Sequence, residues 1–159
     1  IPVVIGAATI GPSAGAILGG VFGATSFIQC FGMSAFGATL LGINPVLTFL
    51  VCVPTRILAG FLAGLVFKAI GKNGKEKIGA TAASLAGPLL NTLFFMSTLV
   101  LFFGNADYIV GIKESLGATN VFSFVALFVG LQGVIEAAVC FVVGSAVSVA
   151  LLRSVKRFK

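Results

Sequence analysis

The 159-residue chain contains no histidine and only four acidic side chains. Without histidine there is no HExxH pair and no mixed Cys/His set for a metal, so neither a zinc site nor any other metal site is expected. The three cysteines, Cys30, Cys52 and Cys140, stand apart in apolar surroundings with no CxxC spacing. They read as small buried hydrophobes rather than redox or metal ligands. A phosphate-cradling GxxxxGK[ST] loop is also lacking. "GKNGKEK", residues 71–77, has the glycines and lysines at the wrong spacing and reads as a basic turn. The sequence therefore carries no nucleotide engine. It has no pair of intramembrane aspartates either, and the expectation is a protein that is not an enzyme and holds no cofactor.

Charge is the scarcest commodity. Only 9% of residues are charged, against about 25% in soluble domains, while 58% are hydrophobic. With a mean hydropathy of +1.19, the apolar surface exceeds what a soluble core of this size could hide. The class is all-α integral membrane. The 21 glycines suit close helix packing in lipid. The net charge of +6 is not a nucleic-acid signature, because the basic residues cluster at the ends of apolar runs.

The chain reads as one membrane domain, 1–159, with helices over about 1–10, 13–28, 45–70, 78–103 and 121–152. Gly11-Pro12 marks a tight turn. Asn44 and Pro45 are N-cap and first-turn signals for the third helix. Residues 29–44 are expected to form an ordered, phenylalanine-studded loop and residues 104–120 a polar loop. The first segment is too short to span alone, since spanning takes ~20 residues. The chain opens in mid-run at Ile1, and a segment upstream is expected. Four lysines lie in residues 68–77 and two arginines with two lysines in the last seven residues. By the positive-inside rule both regions are cytoplasmic, which puts the C-terminus inside and the loop at 104–120 outside.

Polar groups inside these spans are the candidate site. Arg56 is the sole charge between Ile1 and Phe67. It lies twelve residues from Lys68, or ~18 Å along a helix, in a setting where an arginine costs at least ~2.5–3.5 kcal/mol. Asn91 lies ~21 Å from Lys77, and Glu136 ~26 Å from Arg153, with Gln132 one turn away on the same face. All three heights fall at or above mid-depth of a ~30 Å core, which points to a pocket reached from outside. Pro54 and Pro88 stand close to Arg56 and Asn91; each removes a helix hydrogen bond, and two such kinks suggest one shared cavity. Phe27, Gln29 and Asn44 offer aromatic and amide contacts from the loop at 29–44. Glu136 is open to three readings: ligand contact, counter-ion to Arg56, or an acid of the outer cavity. The small-xxx-small pairs Gly15/Gly19 and Gly60/Gly64 serve helix packing or partner docking.

The segments "IPVVIGAATIGPSAGAILGGVFGATSFIQ", "NPVLTFLVCVPTRILAGFLAGLVFKAI" and "SLAGPLLNTLFFM" together resemble the substrate-binding S components of energy-coupling factor (ECF) vitamin transporters, and within these the pantothenate-type branch. The resemblance runs from the family's second helix to its sixth. It implies a six-helix bundle of which five transmembrane helices are present and the first, with its scaffold-docking motif, is missing. It implies a bacterial plasma-membrane protein that binds a small vitamin, topples in the bilayer to deliver it, and works with a transmembrane scaffold subunit and two cytoplasmic ATPases. Ala7, Ala8, Gly15 and Gly19 are candidates for part of the scaffold contact. The resemblance places Arg56 and Asn91 in motif-bearing segments. Arg56 then suits a ligand carboxylate, while Asn91 and Gln29 suit amide and hydroxyl groups. If Glu136 neutralises Arg56, a neutral ligand such as a hydroxymethylpyrimidine fits better. A small channel and an intramembrane enzyme are the alternatives from other classes.

Overall fold

The computed structural model describes residues 1–72 and 75–157, without the side chains of residues 121, 131, 132 and 155–157. Every regular element among them is helical: α1 (Pro2–Thr9), α2 (Pro12–Gln29), α3 (Ala35–Ile43), α4 (Pro45–Ile70), α5 (Glu76–Phe103), α6 (Asp107–Ser115), α7 (Val121–Val139), a π-helical turn (Cys140–Gly144) and α8 (Ser145–Arg157). By length and composition, three stretches can cross a membrane: Pro45–Ile70, Glu76–Phe103 and Gly133–Ser154. The fold is that of an all-α membrane protein.

Local chemistry sets the helix ends. Gly11, at φ 120°, takes the left-handed conformation that separates α1 from α2, and Pro12 starts the new helix. Asn44 caps α4: its Oδ1 accepts from the backbone N–H groups of Val46 and Leu47, both at 3.1 Å. Asn120 and Ser123 form a reciprocal capping box at the start of α7.

Three expectations need correction. Residues 29–44 are not simply loop, because Ser34 accepts from Gly37 N at 3.1 Å and nucleates α3. The stretch 104–120 likewise contains α6, held down by Lys113, whose Nζ donates to the Gly104 carbonyl at 2.9 Å and lies 5.7 Å from the Phe124 ring centroid. A single helix over 121–152 is interrupted twice, by Gly130 at φ 47° and by the π turn at 140–144. The apolar period carried no mark of either break.

The α2–α4 pair is the spine of the bundle. The two helices run antiparallel with glycine against backbone: Gly15 meets Gly60, Gly19 meets the Arg56 carbonyl, Gly23 meets Cys52 and Val53, and Gly64 meets Pro12. A Cβ at any of these positions would overlap the facing chain. Their small residues are consumed inside the fold. Ala7, Ala8, Gly15 and Gly19, the candidates for part of a scaffold contact, are all buried, and Gly15 and Gly19 take the helix-packing role of the two their spacing allowed. At one end, α3 and α6 cover a core of Leu40, Val51, Met96, Leu99, Phe103, Ile109 and Phe124.

Candidate ligand-binding cavity

One cavity of about 260 Å³ lies where α1, α2, α4, α5 and the α7–π-turn segment meet. Its polar groups are Arg56 from α4, Asn91 from α5 and Glu136 from α7. Three side chains separated by 35 and 45 positions in the chain thus share one space. The rest of the lining is apolar or small and includes Ile1–Val4, Val21, Phe22, Ala59, Gly87 and Pro88. The volume is close to the lower end of the ~300–1,000 Å³ typical of small-molecule sites.

Arg56 is fixed before any ligand arrives. Its Nη1 donates to the Cys52 carbonyl at 2.9 Å, one turn back on α4. The guanidinium carbon stands 5.0 Å from the Phe22 ring centroid and 5.3 Å from that of Phe95. Both distances are in the range where a ring face attracts a cation. The Nε is buried and has no hydrogen-bond partner. An arginine with an unused buried donor is poised for an acceptor, because an unpartnered donor costs more than a satisfied one. No ion pair joins Arg56 to Glu136 among the described residues, although both line the cavity. Glu136 retains much of its exposure.

The other sequence candidates lie elsewhere. Gln29 is exposed at the end of α2 and does not line the cavity. Phe27 packs edge-on against Phe31 and Phe49, with centroids 5.5 and 5.4 Å apart. Asn44 spends its side-chain oxygen on the α4 cap. Gln132 is on α7, and its side chain falls outside the described residues. Of the two prolines expected to share a cavity, Pro88 lines it and Pro54 is exposed.

Phe22 and Phe95 were missed from sequence. Phe95 had a readable signal, since it follows Asn91 by four residues and so shares its face. Phe22 had none, because only the α2–α4 contact brings it to Arg56. The spacing GxSxG also occurs once, in Gly11–Gly15, "GPSAG". Here Ser13 sits in the first turn of α2 after another helix, and the chain has no histidine to act as its base, so the strand-turn-helix setting of a hydrolase nucleophile is not met. Among the described residues no cluster of three or more His, Cys, Asp or Glu side chains is suited to a metal.

This arrangement can hold an anionic or polar organic molecule: a fixed cation on one wall, an amide beside it, a carboxylate acceptor on another wall, and apolar surface between them. Comparison with known proteins gives the chain a family. Residues 1–148 match the family model described as "ECF transporter, substrate-specific component". The chain is 32% identical over 135 residues to the "Pantothenic acid transporter PanT" of Lactococcus lactis subsp. cremoris (strain MG1363), an overlap covering 76% of this chain and 65% of that relative. The chain thus matches just under two thirds of the relative's length. No solved structure matches it.

Proposed function

The chain belongs to the substrate-specific components of ECF transporters, and on that premise we propose that it binds pantothenate for uptake across the bacterial plasma membrane. The observation that carries this reading is the convergence of Arg56, Asn91 and Glu136 on one cavity. Pantothenate presents a carboxylate at one end, an amide in the middle and two hydroxyls at the other. Arg56 pairs with the carboxylate through its free guanidinium donors. Asn91 meets the amide, and Glu136 accepts from a hydroxyl. Phe22 and Phe95 hold the guanidinium in place.

The family also supports the remaining parts of this reading. The cavity-bearing chain crosses the membrane through five helices of a six-helix bundle, with its C-terminus in the cytoplasm. It captures the vitamin and relies on a transmembrane scaffold and two ATPases for energy. A second ligand class is favoured by one observation: an acid and a base in the same cavity leave it with little net charge, which suits a neutral molecule such as a hydroxymethylpyrimidine.

Titration calorimetry of the purified chain with each compound tests the proposal, together with mass spectrometry of whatever small molecule co-purifies. Saturable binding of pantothenate supports it. Binding of the pyrimidine alone would replace the ligand, and solute flux through the isolated chain in liposomes would point to a channel instead.

A further inference from the structure

The start of α5 and the end of α8 pack together at the end of the bundle away from α3 and α6. The pair is antiparallel. Pro88 and Cys140 meet at the ligand cavity, whereas Lys75 and Arg153 meet around a pocket at the other end. That pocket holds about 430 Å³. Lys75, Lys77 and Arg153 line it, all three exposed, and among the described residues Glu76 is its only acid. Three cations against one carboxylate leave two positive charges in excess, whichever of them Glu76 attends.

A second pocket, of about 340 Å³, continues from the first. The two share Lys77 and Ile78, and the second runs on over Thr81 and Ala82 to Leu85 and Phe141. Ile78, Leu85 and Phe141 are large apolar side chains left exposed along it. Among the described residues only Lys77 brings a charge to it. The result is one groove, basic at its mouth and apolar along its length. Its dimensions suit a bilayer. From Lys77 to Leu85 is eight residues, or ~12 Å along α5. One leaflet supplies about half of a ~30 Å hydrocarbon core, or ~15 Å. The apolar part therefore matches the depth of a single leaflet, with the cations at the level of its headgroups.

We infer that this groove binds an anionic phospholipid. The lipid phosphate lies against Lys75, Lys77 and Arg153, and one acyl chain follows Ile78, Ala82, Leu85 and Phe141. Lysine and arginine beside a membrane surface attract anionic lipid. A basic patch alone would accept any anion, and an apolar groove alone any acyl chain. Continuity through Lys77 and Ile78 selects a molecule that carries both parts. A choline headgroup brings its own cation, so a zwitterionic lipid lacks the net charge that this mouth balances. The site shares no lining residue with the ligand cavity, and the inference is independent of which vitamin that cavity holds.

Native mass spectrometry of the full chain in detergent tests this, by titration with phosphatidylglycerol and with phosphatidylcholine of the same acyl chains. Phosphatidylglycerol should be held at least about tenfold more tightly, because each basic residue near a membrane surface contributes about fivefold. Lys77→Gln should weaken phosphatidylglycerol binding by about fivefold and change phosphatidylcholine binding by less than about twofold. Ala82→Phe, which fills the apolar part, should lose bound phosphatidylglycerol with every cation still in place. An unchanged unfolding temperature in both variants assigns these losses to the groove. Equal retention of the two lipids, in the parent and in Lys77→Gln alike, would overturn the inference and leave an ordinary lipid-facing surface. Displacement of phosphatidylglycerol by an equimolar amount of glycerol phosphate would overturn it too, since the site would then be a bare anion site. Retention of neither lipid would give the groove to a protein contact and refute the lipid.

Discussion

The charge on Arg56 is the most informative single perturbation. Its guanidinium is gripped by the Cys52 carbonyl at 2.9 Å and by two aromatic faces at 5.0 and 5.3 Å, which leaves Nε unpartnered. Because the group is already ordered, a ligand carboxylate recovers most of the interaction without ordering a long side chain first. A hydrogen bond to a charged group is worth about 1.5–3 kcal/mol net, or about 10- to 150-fold in Kd. Arg56→Ala should weaken pantothenate binding by that factor. The same substitution also removes packing against Phe22 and Phe95, so a second axis is needed. Pantothenol, in which a CH2OH group replaces the carboxylate, supplies it. Calorimetric titration of both proteins with both ligands forms a cycle. The Arg56→Ala loss for pantothenol should be at least about sixfold smaller than the loss for pantothenate, so that the coupling between guanidinium and carboxylate exceeds about 1 kcal/mol. Equal losses for both ligands would make Arg56 a packing residue. Pantothenate affinity within about twofold of the parent would remove the carboxylate role altogether.

Other expectations follow from the same geometry. Glu136→Gln should weaken pantothenate binding by about 2- to 10-fold in the same titration, as a charged acceptor becomes a neutral one; tighter binding would mean that Glu136 acts by repelling the carboxylate instead. Gly19→Leu should lower both thermal stability and ligand affinity, because its side chain would drive α2 off the Arg56 carbonyl, at a cost of about 1–3 kcal/mol or more for such overpacking. A stable Gly19→Leu variant with normal binding would contradict the backbone-to-backbone α2–α4 contact. Lys113→Met should cost about 1 kcal/mol of stability, read as a fall in unfolding temperature, by removing the donor to Gly104 and the cation over Phe124.

Much of this was legible in the sequence where the signal was local. Asn44-Pro45 marked the start of α4, Gly11-Pro12 marked the break before α2, and the scarcity of charge marked the membrane class. Isolated polar residues in apolar runs singled out Arg56, Asn91 and Glu136 because burying such groups in lipid is costly without a purpose. The helices α3 and α6 were not legible, since short capped turns leave little periodic trace. Gln29 and Asn44 looked like site residues because amides beside phenylalanines in the expected loop at 29–44 suit a small polar ligand. Asn44 carried two readings in the sequence, helix cap and ligand amide, and its side-chain oxygen is taken by the cap that Pro45 beside it signalled.

The sequence by itself determined that this chain lives in a membrane, builds only helices and places a few polar groups at depth, because hydropathy, caps and charge act over one or two turns. Only the tertiary structure decided which of those groups meet. Gly15, Gly19, Gly60 and Gly64 could have faced a partner, but they all lie in the α2–α4 contact, and that contact brings Phe22 against Arg56. The same packing puts Asn44 on a helix end away from the cavity. Such outcomes depend on how whole helices pair, and a helix pairing is fixed by surfaces assembled from distant parts of the chain.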